Sequence, residues 1–285
     1  MDNTAQAINN NGYIDSHQHF WIYHPQQHDW ITDEMAVIRK DFLPAHLEPV
    51  LRANGITGCI AIQADQTETE TELLLSFART NYFISGVVGW VDLLAENLNE
   101  RLQYFKQFPK LKGFRHILQA ESPAFMLQPG FLKGIAELEQ FGFTYDILIF
   151  PKHLEAAIEL VKQFPNQRFV IDHIAKPYIK DGLMDEWKKQ ITAIAQYPNV
   201  YCKISGMVTE AGLSTWKPEA ITPYIDVVVA AFGMKRIMYG SDWPVCLTAA
   251  SYGEVLNVVK KYFAAFSKEE QALFFRDNAI EFYGV

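Results

Sequence analysis

Short apolar runs rich in β-branched residues alternate with amphipathic stretches along almost the whole chain. The runs Tyr13–His19, Ile56–Gln63, Ile84–Val91, Gly113–Leu118, Thr144–Phe150, Phe169–Ile174, Val200–Ile204 and Arg236–Gly240 read as strands. Several show little alternation. Cys59-Ile60-Ala61-Ile62, for example, is apolar throughout, as suits a strand buried on both faces of a parallel sheet. Between the runs, Phe42–Asn54, Glu68–Asn81, Leu98–Phe108, Pro129–Phe141, His153–Phe164, Met184–Gln196 and Pro218–Phe232 carry apolar residues at helical spacing, and Ser251–Phe263 and Lys268–Glu281 follow. Ser267 stands ahead of Glu269 and Glu270. A hydroxyl there caps free amides, and the acids face the positive end of the helix dipole.

The order is strand then helix, eight times over. Strand-to-strand spacing is mostly near 30 residues, the length of a βαβ unit. In 285 residues this predicts an α/β fold built as a single (β/α)8 TIM barrel rather than an open doubly wound sheet. No GxGxxG follows the first strand and no GxxxxGK[ST] occurs. The expected division is a flexible polar leader over residues 1–12 and one barrel domain over residues 13–285.

Composition narrows the reading. Apolar residues are 49% and charged residues 20% of the chain, which excludes disordered and fibrous classes. The net charge of −8, with no basic run, argues against nucleic acid or anionic membrane as a partner. No apolar run approaches the roughly 20 residues of a membrane span, and the leader lacks the features of a signal peptide; the expectation is a cytoplasmic protein. Cys59, Cys202 and Cys246 are scattered among apolar neighbours without a CxxC, as buried core thiols are. Aromatic content is 14%.

In a barrel of this kind chemistry lies at the C-terminal ends of the strands. The first run ends in His17-Gln18-His19, the sixth in Asp172-His173 and the eighth in Gly240-Ser241-Asp242-Trp243-Pro244. Two histidines two apart on a strand share a face and can hold one metal ion or polarise one oxygen; taken alone, a hydrogen-bonded structural pair is the commoner reading. A lone His173 in an apolar strand is more often a satisfied core residue, and a lone Asp242 more often a turn or cap. Arg115 and His116 lie on the fourth run, near the barrel mouth. Arg115 presents donors suited to a carbonyl or carboxylate, against the plainer reading of a pair with Glu121. Trp21 and Trp30 in the loop after the first strand, and Trp243 after the eighth, could cover the C–H faces of a sugar, or simply pack the rim. Tyr145 and Asp146 read as packing residues, and Lys203 lies mid-strand.

Taken together, His17 and His19 at strand one, His173 at strand six and Asp242 at strand eight resemble the amidohydrolase superfamily from Tyr13 to the C-terminus. The segments Ile14 to Trp21, Gly113 to His116 and Gly240 to Pro244 resemble its sugar-lactone hydrolase branch. That resemblance implies hydrolysis of an aldonolactone, such as a fuconolactone or rhamnonolactone, to its sugar acid in carbohydrate catabolism. The ligand set would be His17, His19 and Asp242. The sequence departs from two-metal members: Lys112 lies at the wrong end of strand four, and strand five offers only His153 in a loop. Without a bridging group two cations would repel each other. The expectation is one divalent metal, zinc, or none.

The resulting assignment has Asp242, His173 and Arg115 as catalytic residues and Trp21, Trp30, His116 and Trp243 as substrate contacts. Asp242 takes a proton from water and returns it to the ring oxygen, while His173, Arg115 and any metal stabilise the oxyanion. No GxSxG elbow suggests a serine nucleophile. The nearest rival is a metal-dependent non-oxidative decarboxylase of the same superfamily; from another class, a non-catalytic small-molecule-binding barrel. The partner is a small-molecule lactone, and the chain is a monomer or homodimer.

Overall fold

Each apolar run forms a strand, and each strand feeds a helix. The computed structural model describes residues 12–285; of the expected leader over residues 1–12, all but Gly12 lies outside the described residues. The strands are β1 (Tyr13–Gln18), β2 (Ile56–Ile62), β3 (Ile84–Gly89), β4 (Leu111–Ile117), β5 (Thr144–Leu148), β6 (Phe169–Ile171), β7 (Val200–Ile204) and β8 (Ile237–Tyr239). They pair in parallel in sequence order, β1 to β8. The fold is a single (β/α)8 barrel.

The barrel closes between β1 and the chain just beyond β8. The Asp242 amide donates to the His17 carbonyl at 2.8 Å, and the His19 amide to the Trp243 carbonyl at 2.7 Å. This seam joins the first and last polar motifs. Most strands stop earlier than the apolar runs suggest. The sixth run was expected to extend to Ile174, but β6 ends at Ile171 because His173, Ile174, Ala175 and Lys176 all take left-handed backbone, at φ of 53°, 49°, 60° and 48°.

The helices that pack outside the barrel are α1 (Pro44–Asn54), α2 (Glu68–Thr80), α3 (Leu98–Phe105), α4 (Pro129–Phe141), α5 (Leu154–Gln163), α6 (Asp185–Ile194), a short α7 (Met207–Glu210), α8 (Pro218–Phe232) and α9 (Tyr252–Phe263). Their ends obey local chemistry. α1 and α4 start on proline and stop at Gly55 and Gly142, both left-handed. The expected cap at Ser267 forms: its hydroxyl accepts the Glu270 amide, opening α10 (Lys268–Ala272). The tail is not one helix to Glu281. A π turn over Leu273–Asp277 separates α10 from α11 (Asn278–Tyr283). That turn allows consecutive phenylalanines to be buried, Phe274 against Phe263 and Phe275 against Tyr13.

Two apolar layers hold the molecule together. The larger lies between strands and helices. The smaller fills the bottom of the barrel with Ile14, Ile60, Ile62, Val88, Val170 and Met238, closed from below by Phe282 and Tyr283 of α11. Cys59, Cys202 and Cys246 are free and buried, as read from the sequence. Among the described residues no helix is long and apolar enough to cross a membrane.

Candidate active site

Above the apolar floor, the barrel interior is charged. Lys203 of β7 is fully buried and pairs with Asp146 of β5 at 2.5 Å and with Asp172, after β6, at 3.0 Å. Arg115 of β4 donates to Asp172 at 3.0 Å and to Gln63 Oε1 at 3.0 Å, and also binds the Gln63 carbonyl. Tyr283, rising from α11, donates to Asp146 at 2.8 Å. Lysine and arginine so deep are tolerated only when paired. Burial raises Asp172, but Lys203, the hydrogen-bonding His17 and Arg115 outweigh it and hold the carboxyl well below the ordinary carboxylate range. Asp146, where burial dominates over Lys203, is pushed up to about 6.

This layer supports the imidazoles above it. Asp172 Oδ1 lies 3.3 Å from His17 Nδ1. His19 Nδ1 lies 2.9 Å from the Ile62 carbonyl, which can only accept, so that nitrogen carries a proton and Nε2 faces the pocket. His173 Nδ1 lies 2.8 Å from the Ser205 hydroxyl. All three Nε2 atoms converge on Asp242 Oδ1: 3.4 Å from His19, 3.8 Å from His173 and 3.9 Å from His17. Burial drives His17 and His173 well below the ordinary histidine value, so both are neutral. Asp242 goes the other way. Burial disfavours its charge, but His173, His19 and Lys176 more than offset this and hold it ionised.

Asp242 itself sits at a φ of 59°, and the four left-handed residues from His173 to Lys176 precede the opposite wall. Such backbone costs roughly 1–2 kcal/mol per non-glycine residue and is retained where geometry matters more than local stability. Two glycines allow close approach. A Cβ on Gly240 would lie 2.6 Å from the His17 Cβ, and one on Gly206 would lie 2.7 Å from His173 Nδ1.

His17, His173 and Asp242 each offer an atom within 4.8 Å of the others. His173 thus joins the set expected from the sequence, His17, His19 and Asp242, whose Nε2 and Oδ1 atoms lie 3.2, 3.4 and 3.9 Å from one another. The donor set suits a divalent cation: neutral imidazoles, an ionised carboxylate, and second-sphere partners on every Nδ1. His17 Nε2 and His19 Nε2 are only 3.2 Å apart, so one proton or one cation must lie near them to avoid opposed lone pairs.

The site opens into a cavity of about 390 Å³. His19, Arg115, Gln119, His173, Lys176 and Asp242 form its polar lining; Trp30, Met35, Ala64, Ile117, Leu148, Phe150 and Val245 form the apolar part. Of the four expected substrate contacts only Trp30 is in the lining. Trp21 is buried, donates to the Lys40 carbonyl and packs on Phe42. Trp243 is buried against Phe42 and Phe20. His116 points away from the cavity and stacks on Phe125, near Glu121. Sequence position placed these rings near the rim but not on its inner side. Arg115 pairs with Asp172 rather than with Glu121. His28, read as a surface residue, is buried. Sequence reasoning did not single out Asp172, Lys176 or Lys203 for the site. The one signal available was charge inside apolar runs, as in Val200-Tyr201-Cys202-Lys203-Ile204.

The sequence model described as amidohydrolase matches residues 14–285. The chain belongs to the amidohydrolase family. This amidohydrolase is 39% identical over 260 residues to a protein of Burkholderia multivorans named L-fucono-1,5-lactonase, covering 87% of this chain and 88% of that one. A protein of Scheffersomyces stipitis named L-rhamnono-gamma-lactonase is 27% identical over 176 residues, 55% of this chain and 51% of that one. Among solved structures, a Burkholderia multivorans amidohydrolase with bound zinc superposes with a TM-score of 0.92 at 37% identity, over 96% of this chain and 99% of the other. A 2,6-dihydroxybenzoate decarboxylase from Rhizobium shares the fold, with a TM-score of 0.70 at 12% identity.

Proposed function

We propose that this amidohydrolase opens a six-membered lactone of a deoxy sugar acid, of the L-fucono-1,5-lactone class, to the free acid. The observation that carries the reading is Asp242: an ionised carboxylate, buried, facing three imidazole nitrogens and the cavity. It is suited to take a proton from a water molecule attacking the lactone carbonyl. When the ring C–O bond breaks, the same carboxyl returns that proton to the leaving ring oxygen. Asp242 thus ends each turnover ionised again.

The carbonyl oxygen gains charge during attack, and donors must be in place before it does. Without a cation on its Nε2, His173 supplies one. Ser205 can donate to its Nδ1, which leaves an N–H on Nε2 toward the cavity, or accept from it, which leaves a lone pair. Arg115 lines the same wall, and its Nε is buried without a hydrogen-bond partner. Its remaining donors keep Gln63 and Asp172 in place. The apolar lining excludes water, and Trp30 covers the C–H face of the ring.

His17, His173 and Asp242 would hold one divalent cation. Bound there it would act as a Lewis acid toward oxygen and lower the pKa of a water. The family resemblance to a zinc-bound structure supports zinc as the ion.

The test is a screen of five- and six-membered sugar lactones, with proton release followed by a pH indicator, beside aryl carboxylates followed by CO₂ release. The reading expects turnover of a deoxy-sugar lactone well above the buffer rate. CO₂ release without lactone opening would replace it with a decarboxylase.

A further inference from the structure

Three charged side chains line the cavity: Asp242, Arg115 and Lys176. The first two are spoken for by the chemistry above. Lys176 takes no part in it beyond its charge, which favours the ionised form of Asp242. It closes the left-handed run that begins at His173, its amide donating to the His173 carbonyl at 2.8 Å, and Pro177 follows directly. The strained turn therefore fixes His173 and Lys176 together, one residue at the reacting centre and the other beside it. Glu210, at the end of α7, accepts from Lys176 Nζ at 2.8 Å, with both side chains largely buried. An ammonium has three donors, and Glu210 takes one. The carboxylate thus holds the ammonium in place and leaves donors for the cavity. The apolar lining, with Trp30, Leu148 and Phe150, cannot satisfy a hydroxyl group.

We infer that Lys176 is a specificity-determining residue that hydrogen-bonds ring hydroxyls of a polyhydroxylated lactone, with Glu210 as its positioning residue. The inference rests on the lactonase reading and deepens it. It assigns recognition of the hydroxylated edge to a cation outside the proton-transfer machinery, and makes the substrate a neutral polyol ring rather than a bare cyclic ester.

The experiment compares L-fucono-1,5-lactone with unsubstituted δ-valerolactone, which keeps the ester and lacks the hydroxyls. The readout is the ratio of kcat/KM for the two in wild-type protein and in Lys176→Met, Lys176→Arg and Glu210→Gln. Loss of a hydrogen bond to a charged group should lower the ratio about 10- to 100-fold in Lys176→Met, mostly through KM, with Lys176→Arg recovering part of it. Glu210→Gln should lower the ratio less. If Lys176→Met fails to fold, the Arg and Gln variants decide, because a purely structural ion pair would change both substrates in proportion. An unchanged ratio in folded variants overturns this inference alone. Wild-type protein that opens neither lactone overturns the functional reading as well.

Discussion

Replacing Lys203 by Met tests whether the charged layer inside the barrel is a structural necessity. Lys203 Nζ makes two ion pairs, 2.5 Å to Asp146 and 3.0 Å to Asp172, and all three side chains are fully buried. Methionine keeps the volume and removes the charge. Asp172 would retain Arg115 and His17, whereas Asp146 would keep only the Tyr283 hydroxyl. The loss therefore concentrates on Asp146. Stripping one partner from a buried pair costs about 3–5 kcal/mol. For a chain of this size that corresponds to a fall in Tm of roughly 6–20 °C. The penalty depends on pH with a definite sign. Asp146 already has a raised folded pKa of about 6, and loss of Lys203 raises it further. A carboxyl raised on folding supports stability below its unfolded pKa and loses that support as pH rises through the folded value. The gap between variant and wild type should widen from pH 5 to pH 8, as read by differential scanning calorimetry at each pH. Adding Asp146→Asn to Lys203→Met should restore most of the difference. A Lys203→Met protein that melts within about 2 °C of wild type at pH 8, or a gap that grows on acidification, would refute the reasoning.

Gly240→Ala places a methyl 2.6 Å from the His17 Cβ and 3.1 Å from the Ser205 Cβ, so the imidazole must move. A displacement of that kind should lower kcat/KM for the lactone by about 100-fold while the far-UV circular dichroism stays that of wild type; wild-type kinetics would show that the close approach is not needed. Metal analysis of purified protein should give about one divalent ion per chain, since the trio of ligands can hold only one. His173→Asn should remove most of that ion, and retention of full metal content would take His173 out of the ligand set.

The parts of the site that were legible in the sequence are polar residues interrupting apolar runs at strand ends. His17, His19, His173 and Asp242 stand out on that basis, and the structure brings them together around Asp242 Oδ1. The fold was legible for a related reason: eight double-sided apolar strands with helices between them leave few alternatives. The supporting layer was harder to see. Asp146, Asp172 and Lys203 lie far apart in the chain and acquire meaning only when β5, β6 and β7 curve around one interior. The left-handed turn was invisible, because Ile174 and Ala175 continue the apolar run and propensity favours strand. Aromatic residues were read by position alone. Trp30 faces the cavity, but Trp21 and Trp243 turn outward onto Phe42, a choice set by packing rather than by place in the sequence.

The account turns on Asp242 as the base that drives lactone opening, and one measurement tests it most directly: the initial rate of L-fucono-1,5-lactone hydrolysis by wild-type protein and by Asp242→Asn. The variant should fold with a wild-type circular dichroism spectrum and lose about 10²- to 10⁴-fold in kcat. A folded Asp242→Asn protein that turns the lactone over at the wild-type rate would contradict the central claim.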